Sequence, residues 1–331
     1  MAVSLKGKSF LSLMDFSKEE IRYLLDLAHD LKKKKKAGIK GTLLDGKNIV
    51  VMFEKTSTRT RCSFEVACHE EGGHVTYLDG ASSQVGKKES IEDSACVLGR
   101  FFDGIEYRGY SQKVLEELAV HAGVPVWNGL TDTDHPTQTL ADLLTMEEHI
   151  EKPLDQCKVV FAGDIRNNMS YAWMYGCVKM GIDYVAYGPE ELAAEIDRQV
   201  LAKVKEEAIL SGANITISSS IEDLKGADVI YTDIWASMGE EEQIPEREKL
   251  LSPYKVTEEM LAATKNPQVL FMHCLPAFHD FNTAMAKEQK SRGYDIREVT
   301  DQVFRGSHSV VFDEAENRMH SIKAVLVATL H

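Results

Sequence analysis

The stretch Ile49-Val50-Val51-Met52-Phe53-Glu54-Lys55-Thr56-Ser57-Thr58-Arg59-Thr60-Arg61 joins an apolar run to a turn crowded with hydroxyls and arginines. Its first five residues have the pattern of a strand buried on both faces. Beyond it Phe64, Ala67, Cys68 and Glu71 recur at helical spacing, so a helix begins inside the stretch. A strand that passes through such a turn into a helix N-terminus makes an anion site. Free backbone N–H groups point outward there, and the helix dipole favours negative charge. Ser57, Thr58 and Thr60 add hydroxyl donors, while Arg59 and Arg61 add guanidinium forks that match phosphate oxygens. A capped helix with two surface arginines would use the same residue types. Three hydroxyls alternating with two arginines directly after a buried strand favour phosphate.

Around this stretch the chain alternates. Strands are expected at 48–53, 74–78, 104–107 and 124–127, with helices at 17–36, 58–71, 89–101, 111–122 and 136–150. The second half repeats the pattern, with strands at 158–162, 183–187, 214–218, 228–232 and 268–272. Its helices are expected at 167–180, 190–211 and 221–225, and a last one from Glu316 to Leu330. Such β–α alternation implies parallel sheets covered on both faces. The polar, proline-containing stretch Glu151–Asp155 divides the chain into domains 1–150 and 151–315, with 316–331 returning to the first. The segment from Asp233 to Pro253 reads as a long irregular loop, a kind of connection usually functional or mobile. The lysine run 32–36 reads as a solvated helix C-terminus, where cations complement the dipole.

Composition narrows the partners. The 331 residues exceed one domain of about 150, and 44% apolar with 27% charged residues suits a soluble globular chain. A formal charge of −14 argues against nucleic acid and anionic membranes, so an anionic substrate needs a local basic pocket. The six cysteines contain no C-x-x-C pair, which suggests reduced thiols in a cytosolic protein and no structural zinc. Five lie in apolar segments and are expected in the core; Cys274 stands apart. Neither a signal peptide nor an apolar run of about 18 residues is evident, so no membrane partner is expected.

The polar clusters fall at one kind of place. Ser57–Arg61, Arg108, His135, Asp164–Asn168, Asp233–Gly239 and His273–Pro276 begin at, or lie just past, the carboxyl ends of expected strands. Ligands bind along that rim in open α/β sheets, so the clusters from both halves imply a cleft between two domains. Singly, each has another reading. Arg108 could pair with Glu106, His135 could be a satisfied helix-start histidine, and Cys274 beside His273 could be a nucleophile or a shielding thiol. Gly163–Asn168 lacks the G-x-G-x-x-G spacing of dinucleotide sites, and no Walker lysine motif occurs.

Together the motifs resemble those of the carbamoyltransferase family, and of its ornithine branch in particular, over nearly the whole chain. Ser57-Thr58-Arg59-Thr60-Arg61, Arg108 and His135-Pro136-Thr137-Gln138 resemble the carbamoyl-phosphate half. Asp233-Ile234-Trp235-Ala236-Ser237-Met238-Gly239, Gly163–Asn168 and His273-Cys274-Leu275-Pro276 resemble the ornithine half. The resemblance implies an α/β fold of two domains, each a parallel sheet flanked by helices, with the site in the cleft between them. The C-terminal helix would pack back on the first domain.

It also implies roles. Ser57, Thr58, Arg59 and Thr60 would hold the phosphate, and Arg108, His135 and Gln138 would surround the carbamoyl group. Cys274, Leu275 and Arg318 would complete that site. Gln84 would be lent by a neighbouring subunit, implying a homo-oligomer built from trimers. Asn168, Asp233, Ser237 and Met238 would hold ornithine. Arg108, His135, Asp233 and Cys274 would be catalytic, with no cofactor and no metal. An aspartate enzyme would lack the S-M-G loop, and so would a putrescine enzyme, whose substrate has no carboxylate to hold.

Overall fold

The computed structural model describes residues 3–80, 83, 85–236 and 239–331. The chain forms two compact units, one of residues 1–144 and 315–331, the other of residues 145–314.

In the first unit α1 (Lys18–Lys36) starts on a capping box, with Ser17 and Glu20 each accepting the other's backbone N–H. Ile21, Leu24, Leu25, Ala28 and Leu31 form its buried stripe. The lysine run does not behave as one block: Lys33–Lys36 are exposed, but Lys32 is buried and donates to Asn317 Oδ1 at 2.7 Å. Next come β1 (Asn48–Phe53), α2 (Thr58–Glu70), β2 (His74–Asp79), α3 (Ile91–Phe101), β3 (Gly104–Arg108), α4 (Gln112–His121), β4 (Val126–Leu130) and α5 (Pro136–His149). The strands form a parallel sheet ordered β2-β1-β3-β4, which puts the apolar run Ile49–Phe53 in the centre, as its composition demands. Two boundaries move. The fourth strand lies at 126–130 and not 124–127, because Pro125 has no N–H for the ladder and Val126 is the first residue in register with β3. Arg108 is the last residue of β3 rather than the first beyond it.

The second unit holds β5 (Lys158–Ala162), α6 (Asn168–Met180), β6 (Asp183–Tyr187), α7 (Glu190–Ala193), α8 (Arg198–Ser211), β7 (Ile215–Ser218), β8 (Val229–Thr232), α9 (Ile244–Leu251), α10 (Glu258–Ala263), β9 (Leu270–His273), α11 (Ala284–Ser291) and α12 (Asp301–Phe304). Its parallel sheet is ordered β7-β6-β5-β8-β9. The single helix expected over 190–211 is two, because Asp197 accepts from the backbone N–H of Gln199 and Val200 and so starts a new one. The loop expected over 233–253 contains a helix, α9, with Pro245 in its first turn.

The last helix, α13 (Val311–Leu330), begins five residues earlier than its pattern suggests, 316 against 311. Glu314 in its first turn is fully buried and accepts from the His273 backbone N–H at 2.8 Å, a tertiary bond that fixes the turn. Its far end belongs to the first unit, where Thr329 Oγ1 accepts from Trp127 Nε1 at 3.0 Å. The expectation for the cysteines needs correction too. Cys68, Cys157 and Cys177 are buried, but Cys62 is exposed and Cys96 is half-buried, its thiol facing the His121 carbonyl at 3.7 Å. No helix among the described residues is long and apolar enough to cross a membrane.

Candidate active site

In the first unit the sheet delivers two strand ends side by side, Phe53 of β1 in register with Arg108 of β3. Ser57 then caps α2, its Oγ accepting the Thr60 backbone N–H at 3.2 Å, which leaves the hydroxyl proton of Ser57 available to a ligand. Thr60 is buried, and its Oγ1 accepts from two arginines: Arg108 Nη1 at 3.3 Å and Arg318 Nη2 at 3.2 Å. Arg318, from α13, also donates to Gln138 Oε1 and lies 3.3 Å from His135 Nε2. Gln138 is itself fixed by donating to Asp142 Oδ1 at 2.7 Å. Except for the half-buried Arg108, these residues lie almost wholly inside, His135 at 4% exposure and Arg318 at 3%.

The electrostatics follow from that enclosure. Burial, then the charges of Arg318, Arg108 and Arg59, hold His135 well below the ordinary imidazole range. A guanidinium only donates, so the His135 Nε2 that faces Arg318 carries a lone pair, and the imidazole is neutral. The result is a cluster with several fixed donors, suited to a compact anion. Glu106 does not pair with Arg108. Its carboxyl is fully buried, and burial raises its pKa well above the ordinary value, offset in part by the charge of Arg108. Arg61 is turned away from the cluster. It donates to Glu65 at 2.8 Å and lies over the Tyr77 ring at 3.9 Å, an outward face of α2. Arg59 is half-buried and Thr58 exposed at the start of α2.

The second unit gathers three neighbouring strand ends, of β5, β8 and β9. After β5 the backbone turns at Gly163, whose φ of +127° a side chain would disfavour. Asn167 caps α6 and donates from Nδ2 to Asp233 Oδ2 at 3.1 Å. After β8, Asp233 Oδ1 accepts from the Ile234 backbone N–H at 2.8 Å and from Cys274 Sγ at 3.2 Å. After β9, His273 is fully buried. Its Nδ1 accepts from the Leu275 backbone N–H at 2.9 Å, so its Nε2–H points to Glu298 Oε1 at 3.0 Å. That bond orients the ring and, through Leu275, the turn that carries Cys274. Burial raises the pKa of Asp233, offset in part by His273 and the Cys274 bond, and pushes Glu298 up to about 8.

Asp233, Cys274 and Leu275 are thus brought to one edge, with Asn168 half-buried in the first turn of α6 beside Asn167. Gln84, Ser237 and Met238 lie outside the described residues. Sequence reasoning missed Asn167, Thr137 and Glu298. Thr137 Oγ1 sits 3.4 Å from His135 Nδ1, and the Asp142 and Glu298 anchors carry no motif. Only Asn167, next to a chosen residue, had a signal: an Asn placed to cap the helix after a glycine turn.

Two parallel α/β units, one with a cationic pocket and one with an acid–thiol edge at its strand ends, define a two-domain α/β class. The models for the aspartate/ornithine carbamoyltransferase carbamoyl-phosphate-binding domain and Asp/Orn-binding domain match residues 8–148 and 155–329. The chain belongs to the aspartate/ornithine carbamoyltransferase family. It is 64% identical over 332 residues to a catabolic ornithine carbamoyltransferase of Clostridium perfringens, covering 99% of each chain. It is 55% identical over 333 residues to the ornithine carbamoyltransferase of Limosilactobacillus reuteri, covering 100% of this chain and 99% of the relative. Among solved structures, the ornithine carbamoyltransferase of Pyrococcus furiosus superposes with a TM-score of 0.89 at 40% identity, over 99% of both chains.

Proposed function

We propose that the protein transfers the carbamoyl group of carbamoyl phosphate to the δ-amine of L-ornithine, giving L-citrulline and phosphate. The observation that carries this reading is the Arg108–Thr60–Arg318–His135 cluster, a largely buried set of polar groups with two arginines, in a chain matched end to end by ornithine carbamoyltransferases.

Ser57, Thr58, Arg59 and Thr60 hold the phosphate, and Arg318 turns to it from His135. His135, released, shifts to the other neutral tautomer, with Nδ1 accepting from the Thr137 hydroxyl, and donates Nε2–H to the carbamoyl oxygen, with Arg108 on the same oxygen and Gln138 on the carbamoyl nitrogen. Gln84 of a neighbouring subunit, Cys274 and Leu275 complete the donor site. Asn168, Asp233, Ser237 and Met238 hold ornithine. Only about one δ-amine in a thousand is neutral at pH 7. A carboxylate at Asp233, oriented by Asn167 and Cys274, accepts the proton that makes the amine a nucleophile. The amine lone pair then attacks the carbamoyl carbon, and charge builds on the oxygen facing Arg108 and His135. Collapse breaks the carbon–oxygen bond to phosphate, which leaves with that electron pair and takes up the proton that the attacking nitrogen must lose. Donors fixed toward the oxygen that gains charge supply the largest share of such catalysis.

The protein acts as a homotrimer or an assembly of trimers in the cytoplasm, without cofactor or metal. The name of the Clostridium relative favours a catabolic setting, with citrulline consumed. The test supplies carbamoyl phosphate with L-ornithine, putrescine or L-aspartate in turn and measures carbamoylated product. Citrulline from ornithine alone supports the reading. Product from another amine instead, or binding without turnover, overturns it.

A further inference from the structure

Arg247 of α9 is 15% exposed at its side chain and is spent on the protein itself. Its Nη1 donates to Asp164 Oδ2 at 2.7 Å and to the Trp235 carbonyl at 2.9 Å, Nη2 to Glu240 Oε1 at 2.8 Å, and Nε to Gln243 Oε1 at 3.1 Å. One guanidinium thus joins Trp235 and Glu240 to Asp164. Asp164, 5% exposed, is the fixed point. Arg166 donates to it from Nε and Nη2, each at 3.0 Å, and from its backbone N–H at 3.1 Å, and Arg166 is paired in turn with Glu195. Asp164 stands three residues before Asn167, the cap that bonds Asp233. Ala236 packs on the apolar cluster of Ile244, Ala286 and Ile296, which seats the chain just after Trp235.

We propose that Asp164 and Arg247 are positioning residues for amino-acid recognition: they tie the Trp235 carbonyl and Glu240 to the Asp164–Asn168 turn, so that this turn, which carries Asn167 and Asn168, and the Asp233–Trp235 stretch present one surface to the amino-acid end of the acceptor. The inference rests on the ornithine reading above. Only an arginine can do this. Its planar fork serves several acceptors at once, whereas a lysine at the same place is a point charge that satisfies one or two. The clamp touches no reacting atom, so its loss loosens the amino-acid end of the acceptor and leaves the carbamoyl phosphate cluster, built on other elements, intact.

The experiment compares the wild-type full chain with Arg247→Gln, Arg247→Lys, Asp164→Asn and the Asp164→Asn/Arg247→Gln pair. It measures kcat, both KM values and inhibition by L-norvaline, which keeps the amino-acid end but lacks the δ-amine. Losing charge-assisted bonds of this kind predicts that Arg247→Gln raises the ornithine KM and the norvaline inhibition constant together, by about tenfold or more. The carbamoyl phosphate KM and kcat should stay within about threefold, a margin well below one charge-assisted bond. Arg247→Lys should recover only part of the loss, and the double variant should be no worse than the poorer single one, since the two residues act as a unit. Unchanged ornithine KM and norvaline inhibition in Arg247→Gln or Arg247→Lys would overturn the clamp, as would a fall in kcat alone. A wild-type protein that makes no citrulline would instead remove the ornithine reading beneath it.

Discussion

The two strand-end clusters are built in opposite ways. The one in the first unit is a pocket of cations and neutral donors, Arg108, Arg318, Thr60 and His135, locked by burial and by bonds among themselves. The one in the second unit is an edge of acids and a thiol. Asp233 and Glu298 are pushed toward protonation by burial, and Arg247 holds the Trp235 carbonyl and Glu240 nearby. The difference matches the chemistry each must do. An anion that leaves needs fixed positive charge, whereas an amine that attacks needs a proton acceptor and a surface that selects it. It also shows how one sheet geometry serves both, since each cluster sits at the carboxyl ends of parallel strands.

Separate variants can break this division of labour. The largest effect is expected from Arg318→Met, which strips donors from Gln138, His135 and Thr60. kcat/KM for carbamoyl phosphate should fall by roughly a thousandfold, the upper range for a preorganised donor. A loss that appeared only in the ornithine KM would contradict the assignment of Arg318 to the donor side. Asp233→Asn removes the carboxylate proposed as proton acceptor and should lower kcat by about a hundredfold. Carbamoyl phosphate binding, followed by calorimetry, should remain; if it vanished, the two clusters would not be separable. Arg59→Ala, at a half-buried position, should raise the carbamoyl phosphate KM by about tenfold, the value of one charge-assisted bond.

The smallest effect concerns pH and the His273–Glu298 pair. The folded pKa of Glu298 is raised from an ordinary 4.5 to about 8 by burial. Between those values the folded chain holds a proton that the unfolded chain has released. Stability from this group is therefore full below the unfolded pKa and declines as pH rises toward 8. Glu298→Gln keeps the shape and the acceptor oxygen but cannot ionise, so its urea midpoint should fall less than the wild-type midpoint between pH 5 and pH 8, the span of the shift. Parallel curves would place the ionisation of Glu298 elsewhere.

How much of this was legible depended on whether the signal was local. Ile49–Phe53 could only be a central strand, and Ser57 announced the helix cap that the structure contains. The sites at strand ends were readable because alternation fixes where strands stop. What was not readable was carried by tertiary bonds. Glu314 extends α13 backward because it meets the His273 N–H, and Lys32 leaves the solvated lysine run because Asn317 lies opposite. Arg61 looked equivalent to Arg59, but residues two apart on a helix point different ways, and Arg61 faces Glu65 and Tyr77. Glu298 and Arg247 sit in segments without motif character, so their partners became visible only in three dimensions.

The most direct measurement follows citrulline and phosphate together when the protein is given carbamoyl phosphate and L-ornithine. The account predicts that both appear at the same rate, one phosphate for each citrulline, and that neither appears when ornithine is withheld. Phosphate released without citrulline, or citrulline-free turnover with another amine, would contradict it.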